Sequence, residues 1–504
     1  MSLYDSLVLF SKGILLLTIA CIVFVLMTFI FIPLWKMRPY IKLGLPSYFY
    51  PFLGAIKRLH IYEHQHKDAF YYYKELAAKN PNAIAEVINF GNYVGINLLD
   101  SKITKEFYAK QSCYNKIFFS KAISTLVGTG LVFSEGNLWK SHRKAISSIF
   151  HFEFLKKNVP LIVNTTREFF NNLMITSLQN VNIMDEIQKI TGEIVGRIFF
   201  GENLNHYTLK GKPLTLYLQE LVTRNGLVHQ MPIVFFFRYA GFNLEWIPVF
   251  KQLMNDIKEL RRLCYKIVQD RKLSKANQHD LLGLLLQTQN NPLPEDNFSD
   301  EDIIDEFITF FIAGMDTTGH LITMALYLIS KNPQYTKKLE EEIKLVYSRT
   351  NPATIDNLNQ MELMHAILKE TLRLYTPAPT IFPRVAQVDH ELMGLKIKKG
   401  MLVRPTPIYN YSNAKYFDQP LKFKPERWFD KKEHELDPFV YIPFSAGARN
   451  CIGQHLAILE AKIIISEFLK TFRYKIVPEN YRLVMTFNFL YEPKIPLLMN
   501  LYVK

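Results

Sequence analysis

PFSAGARNCIG, Pro443 to Gly453, sets one cysteine among glycines and an arginine near the C-terminal end of the 504-residue chain. The four cysteines, Cys21, Cys113, Cys264 and Cys451, form no C-x-x-C pair. A lone thiolate is nevertheless a strong, soft ligand, and one alone can hold haem iron as an axial ligand. It must stay deprotonated, which calls for positive potential and backbone donors nearby. The apolar run HLAILEAKIIISEFL, His455 to Leu469, reads as a helix, so Cys451 stands just ahead of a helix N-terminus, where the dipole favours an anion. Gly447 and Gly453 let backbone approach a flat ring, and Arg449 can pair with a carboxylate at its edge. A structural cysteine in a turn explains neither Arg449 nor Phe444.

Upstream, Ser299 with Asp302 three residues on has the form of a capping box, and Asp300–Asp302 suits a helix N-terminus. The apolar pattern then runs from Ile303 through Ile329, with Pro333 marking its end. A helix that long and apolar must cross the middle of the domain. Within it Asp316 and Thr317 are costly unless satisfied. Gly314 weakens the helix and the Thr317 hydroxyl can divert a backbone hydrogen bond, so a local kink is expected. AIAEVINFGNYVGINLLD, Ala83 to Asp100, reads as a hairpin turning at Gly91-Asn92, and short strands are expected in Glu391–Val403. The fold class is mainly α with small β-sheets (α+β).

GILLLTIACIVFVLMTFIFI, Gly13 to Ile32, carries no charge and spans roughly 30 Å as a helix, the thickness of a bilayer core. Lys36, Arg38 and Lys42 follow it, against Lys12 before it, which places the bulk of the chain on the cytosolic side. Residues 1–35 are thus expected to be a transmembrane anchor, 36–55 a stiff connector carrying Pro39, Pro46 and Pro51, and 56–504 the catalytic domain. Unpaired cysteines fit a reducing compartment. A net charge of +14 favours an acidic partner or an anionic membrane surface, and no nucleic-acid module is recognisable. Met231–Phe250, rich in aromatics, reads either as a loop packed on the core or as one dipping into the membrane.

Phe444, Gly447, Arg449, Cys451 and Gly453 match the F-x-x-G-x-R-x-C-x-G signature of the cytochrome P450 family, which the chain resembles over nearly its whole length. AGMDTT, Ala313 to Thr318, resembles the family's oxygen-activation motif. ETLR supplies Glu370 and Arg373, and PERW supplies Arg427, of its structural ion network. Trp139 and Arg143 match the W-x-x-x-R of a haem-flanking helix, and Arg384 stands where a further propionate contact is frequent. Departures are small: Ala448, Lys398 and Trp428 replace commoner residues.

The resemblance implies haem b (iron protoporphyrin IX) with Cys451 as axial thiolate and Phe444, Gly447, Gly453 and Ala313 against the ring. Arg449, Trp139, Arg143 and Arg384 are implied at the propionates, and Asp316 with Thr317 in proton delivery. It implies a monooxygenase inserting one atom of O2 into a lipophilic substrate: a fatty acid, sterol or xenobiotic. Electrons are expected from a separate NADPH-cytochrome P450 reductase, with cytochrome b5 as a further partner, and Lys140, Arg143 and Lys144 as docking residues. The expected location is the endoplasmic reticulum membrane. The pocket is expected to draw on Phe118, Phe119, Phe310, Ala378–Ile381 and Phe487–Phe489. Two other readings share the fold: a reductase-independent hydroperoxide isomerase or dehydratase, which often lacks the acid–alcohol pair, and a non-catalytic haem sensor or carrier. His142 and His320 read as satisfied polar histidines.

Overall fold

A computed structural model describes residues 3–117, 121–231, 234, 237, 243–274, 280–289, 297–349, 353–429 and 435–504. The uncharged N-terminal run forms helix α1 (Leu3–Leu26), passes through a π-type turn at Met27–Phe31 and continues as α2 (Ile32–Lys42). From Phe10 to Lys42 it is long and apolar enough to cross a membrane. The side chains of α1 are largely bare, Leu15, Leu16 and Leu17 among them. Those of α2 are not: Met37 and Tyr40 are buried, and Tyr40 Oη donates to the Lys396 carbonyl at 2.5 Å. The stretch expected to be a proline-rich connector therefore begins as helix packed on the domain. Pro39 removes one helical hydrogen bond, and the buried Met37 and Tyr40 offset that loss.

A six-stranded sheet receives α2. Its strands are β1 (Ser47–Tyr48), β2 (Ala85–Phe90), β3 (Tyr93–Leu98), β4 (Tyr114–Lys116), β5 (Arg384–Ala386) and β6 (Leu402–Pro405), in the order β1-β2-β3-β6-β5-β4. The β2–β3 hairpin turns at Gly91-Asn92 as expected, with Gly91 at φ +59°. β4 runs antiparallel to β5, which sets Lys116 directly opposite Arg384.

The rest is mainly helical. The helices that frame the site are α3 (Gly136–Ser147), α4 (Phe152–Met174), α5 (Ile183–Phe200), α6 (Pro248–Ser274), α7 (Asp300–Lys331), α8 (Glu362–Leu374) and α9 (Gln454–Thr471). α7 is the long central helix. Its start is fixed by the capping box: Ser299 N–H donates to Asp302 Oδ2 at 2.9 Å and Asp302 N–H to Ser299 Oγ at 3.2 Å. Over 32 residues it extends about 48 Å and is buried on most of its faces. α5 lies close along it: a Cβ on Gly314 would stand 2.8 Å from Val195 Cγ2. The helix runs on as α-helix through Gly314–Thr317, so the expected kink is not a break. The Thr317 hydroxyl does back-bond, to the Ala313 carbonyl at 2.7 Å. α9 packs against α4 and α7 in the main core.

Candidate active site

Cys451 ends a tight loop directly ahead of α9. Its N–H donates to the Phe444 carbonyl at 2.9 Å, and the chain between turns through Ser445 (φ +63°) and Gly447 (φ +70°). Gly447 has no alternative: besides its left-handed backbone, a Cβ there would press on Gln111 Nε2 at 2.9 Å. The Cys451 thiol is exposed, yet set deep enough that burial raises its pKa; the Gly453 N–H and the charge of Arg143 pull it down only in part. A metal cation on sulfur would favour the thiolate, since a coordinated thiol is deprotonated outright.

Arg143, on α3, is engaged by the cysteine loop itself. Its Nη1 donates to the Asn450 carbonyl and its Nη2 to Asn450 Oδ1, both at 3.0 Å. It clamps the peptide before Cys451.

The charge needed for an acidic ligand edge gathers elsewhere. Arg449 donates to Glu135 Oε2 at 2.5 Å and to the Ser134 carbonyl, with its guanidinium 4.9 Å over the Trp139 ring. Arg384 is 2% exposed. The Nε atoms of both arginines are buried without a partner. Lys116, opposite Arg384 in the sheet, completes the group. Its side chain donates to the Val132 carbonyl and its N–H to Glu135 Oε1 at 2.8 Å. Burial, then the charges of Arg449 and Arg384, push the Lys116 amine well below its ordinary pKa. Like charges placed opposite each other destabilise a sheet, and here three basic side chains share the single carboxylate of Glu135. Two carboxylates on a flat ring bound at Cys451 fit that excess and the two unpartnered N–H groups. Sequence reasoning missed Lys116; its signal was a single lysine in the apolar and aromatic context of YNKIFF.

On α7, Ala313 is exposed and Thr317 half-buried, one turn apart on a helix otherwise mostly buried. Asp316 is buried instead. Its Oδ1 accepts from Gln188 Nε2 at 3.3 Å, and burial, then the charge of Glu492, pushes its pKa to about 8. No hydrogen bond joins Asp316 to Thr317. Phe310, near which the pocket is expected to draw on the central helix, is buried with its ring stacked 5.8 Å from Phe150. Ala378, Thr380, Ile381 and Phe487–Phe489 are partly open. Phe118, Phe119 and part of Met231–Phe250 lie outside the described residues.

Glu370, Arg373 and Arg427 form one network. Arg373 donates to both Glu370 oxygens, at 2.9 and 2.7 Å, and Arg427 Nε to Oε1 at 3.1 Å. Arg373 also donates to the Tyr411 and Lys422 carbonyls, which pins α8 to the chain leading toward the cysteine loop. Burial raises the Glu370 pKa, but the bonds and charge of Arg373, then Arg427 and the Lys424 N–H, outweigh it and hold the group below its ordinary value. His142 Nδ1 meets Glu306 at 2.7 Å, whereas His320 is satisfied only in part: its Nε2 meets the Tyr375 carbonyl at 2.8 Å and its Nδ1 is buried without a partner.

A family model described as Cytochrome P450 matches residues 46–497. Among curated proteins, the chain is 29% identical over 374 residues to human "Cytochrome P450 4V2", covering 70% of this chain and 69% of that protein. It is 30% identical to "Cytochrome P450 4d2" of Drosophila melanogaster, covering 70% and 73%, and 31% identical to "Cytokinin hydroxylase" of Arabidopsis thaliana, covering 71% and 68%. With its loop cysteine, its helix-rich fold and a buried cation group suited to an acidic ring edge, the chain belongs to the cytochrome P450 family and is a monooxygenase that works with a haem held by a cysteine thiolate.

Proposed function

We propose that Cys451 is the axial thiolate and that the enzyme oxygenates a lipophilic small molecule, in the class of fatty acids, sterols or foreign lipophiles, at the cytosolic face of the endoplasmic reticulum membrane. The observation that carries the reading is the group Arg449, Arg384 and Lys116, three basic side chains set against one carboxylate beside the cysteine loop, with two buried N–H groups left unpartnered. These three hold the haem carboxylates. Arg143 fixes the Asn450 peptide, Gly447 makes the turn against Gln111, and Gly453, where a Cβ would stand 4.0 Å from Cys451 Sγ, leaves room for the ring face. When bound, the haem would supply dioxygen binding and O–O cleavage, with the thiolate as an electron-donating ligand. Thr317 Oγ, released from the Ala313 carbonyl, holds a proton on the face of α7 that carries Ala313. Asp316, with a pKa of about 8, is mostly protonated at neutral pH and is the proton reserve one residue away.

Residues 1–35 anchor the chain and 56–504 form the catalytic unit; Lys36, Arg38 and Lys42 support the cytosolic orientation. Electrons come from NADPH-cytochrome P450 reductase, with cytochrome b5 as a second donor. Because Arg143 is occupied by Asn450, docking falls to the exposed Lys140 and Lys144, and coupling to the reductase weakens at high salt. The partly open apolar residues Ala378, Ile381 and Phe487 support a lipophilic substrate. The test is the carbon monoxide difference spectrum of the dithionite-reduced protein beside Cys451→Ser, followed by a lipid screen with reductase. A strongly red-shifted Soret band that the variant loses is expected. An unshifted band in haem-loaded wild type rules out Cys451 as ligand.

A further inference from the structure

Asp305 and Glu306 are consecutive, buried acids on α7, and they grip two different stretches of chain. Asp305 Oδ2 accepts from the Thr129 N–H at 2.6 Å and from its hydroxyl at 3.2 Å, while Oδ1 takes Arg261 of α6 at 2.7 Å. Glu306 Oε1 meets His142 of α3 at 2.7 Å, and the His142 ring stacks 4.3 Å from Phe298. The loop has no slack at the grip. A Cβ on Gly130 would overlap the Thr309 hydroxyl and come within 2.8 Å of the Asp305 carbonyl; one on Gly128, at φ +50°, would overlap the Asp305 carboxylate.

Both grips lead to Arg449. A few residues past Thr129, Ser134 and Glu135 hold its guanidinium. One turn before His142 on α3, Trp139 lies beneath it. The same Glu135 also takes the Lys116 N–H.

We propose that Asp305 and Glu306 are positioning residues that keep the 128–135 loop and α3 in register, so that Arg449 and Lys116 face the acidic edge of the haem. This rests on the assignment of Arg449 to the haem carboxylates made above. Two adjacent buried carboxylates are costly unless each is partnered; of the two, Arg261 pairs with Asp305 alone, and the Thr129 and His142 contacts tie both groups to the haem side. Lys272 also ties α6 to α7, through Asp300, without touching the loop, which makes it a control.

The experiment measures haem transfer from ferric holoprotein to excess apomyoglobin, and the midpoint potential by redox titration. The set is wild type, Asp305→Asn, Glu306→Gln, Gly130→Ala, Arg449→Lys, the Asp305→Asn/Arg449→Lys double variant and Lys272→Met. Asp305→Asn, Glu306→Gln, Gly130→Ala and Arg449→Lys are each expected to speed haem loss roughly tenfold, the scale for removing an outer partner of a metal centre. Asp305→Asn and Arg449→Lys should also shift the potential in one direction. The double variant should lose haem no faster than its faster single, because residues acting through one group are not additive, and Lys272→Met should match wild type. Multiplying effects in the double variant overturn the inference, as does normal haem retention in Asp305→Asn, Glu306→Gln and Gly130→Ala where Arg449→Lys is impaired. Unchanged retention in Arg449→Lys itself refutes the carboxylate assignment, and the inference falls with it. If Asp305→Asn does not fold, Gly130→Ala paired with Arg449→Lys serves the same cycle.

Discussion

The indole of Trp428 donates to Glu370 Oε2 at 3.0 Å, adding a neutral donor to a carboxylate already held by Arg373, Arg427 and the Lys424 N–H. Tryptophan here departs from the phenylalanine usual in the family, and the departure has a use. Trp428→Phe removes one hydrogen bond to a charged group and should cost about 2 kcal/mol. Glu370→Ala strands two buried guanidinium groups and should cost about 3–5 kcal/mol, enough to abolish haem incorporation. Urea unfolding midpoints and haem content of the purified variants check both; a normal haem content in Glu370→Ala refutes the second.

Asp316 carries a pH dependence of defined sign. Its pKa in the fold is about 8 against an ordinary 3.8. Between those values the folded chain keeps a proton that the unfolded chain has released, so stability falls as pH rises through the window. Asp316→Asn removes that penalty. Its melting temperature should exceed wild type by more at pH 8 than at pH 5, and equal increments at both would contradict the assignment. If Asp316 is the proton reserve, coupled turnover of wild type declines above pH 8, whereas Asp316→Asn is slow throughout.

For Lys116 the expectation concerns ligand binding. Its amine is pushed well below its ordinary pKa by burial and by Arg449 and Arg384. A carboxylate bound beside it favours the charged form, so haem binding weakens as pH rises through the titration of the amine. Lys116→Met should flatten that dependence and lower haem affinity about tenfold. Haem-transfer rates at a series of pH values decide it: an unaltered slope in the variant means Lys116 does not face the haem edge.

Much of this was legible from local patterns, and the reason is physical. The Ser299–Asp302 box, the Gly91-Asn92 turn and the cysteine loop are each specified by residues close in sequence, where backbone geometry narrows the choices. Pairing between distant segments is not so specified. Lys116 faces Arg384 only because β4 lies on β5. Arg143 meets Asn450, a partner that no local pattern in the sequence specifies. Asp316 and Thr317, neighbours in sequence, are set about 100° apart by the helix, and burial against Gln188 took one while the other stayed half-buried. Phe310 fell on the face of α7 that packs against Phe150. The proline count around residue 39 suggested a connector, whereas Met37 and Tyr40 found a sheet to bury against.

That last packing has a geometric consequence. Since α2 is continuous with α1 through the Met27–Phe31 turn and is seated on the sheet by Tyr40, the catalytic unit takes its azimuth from helical phase. One residue inserted between Phe31 and Met37 rotates everything after it by about 100° around the anchor axis and lifts it about 1.5 Å. On the anchoring proposed above, the side of the molecule that meets the lipid is set by the residue count of a helix, and not by the composition of any surface.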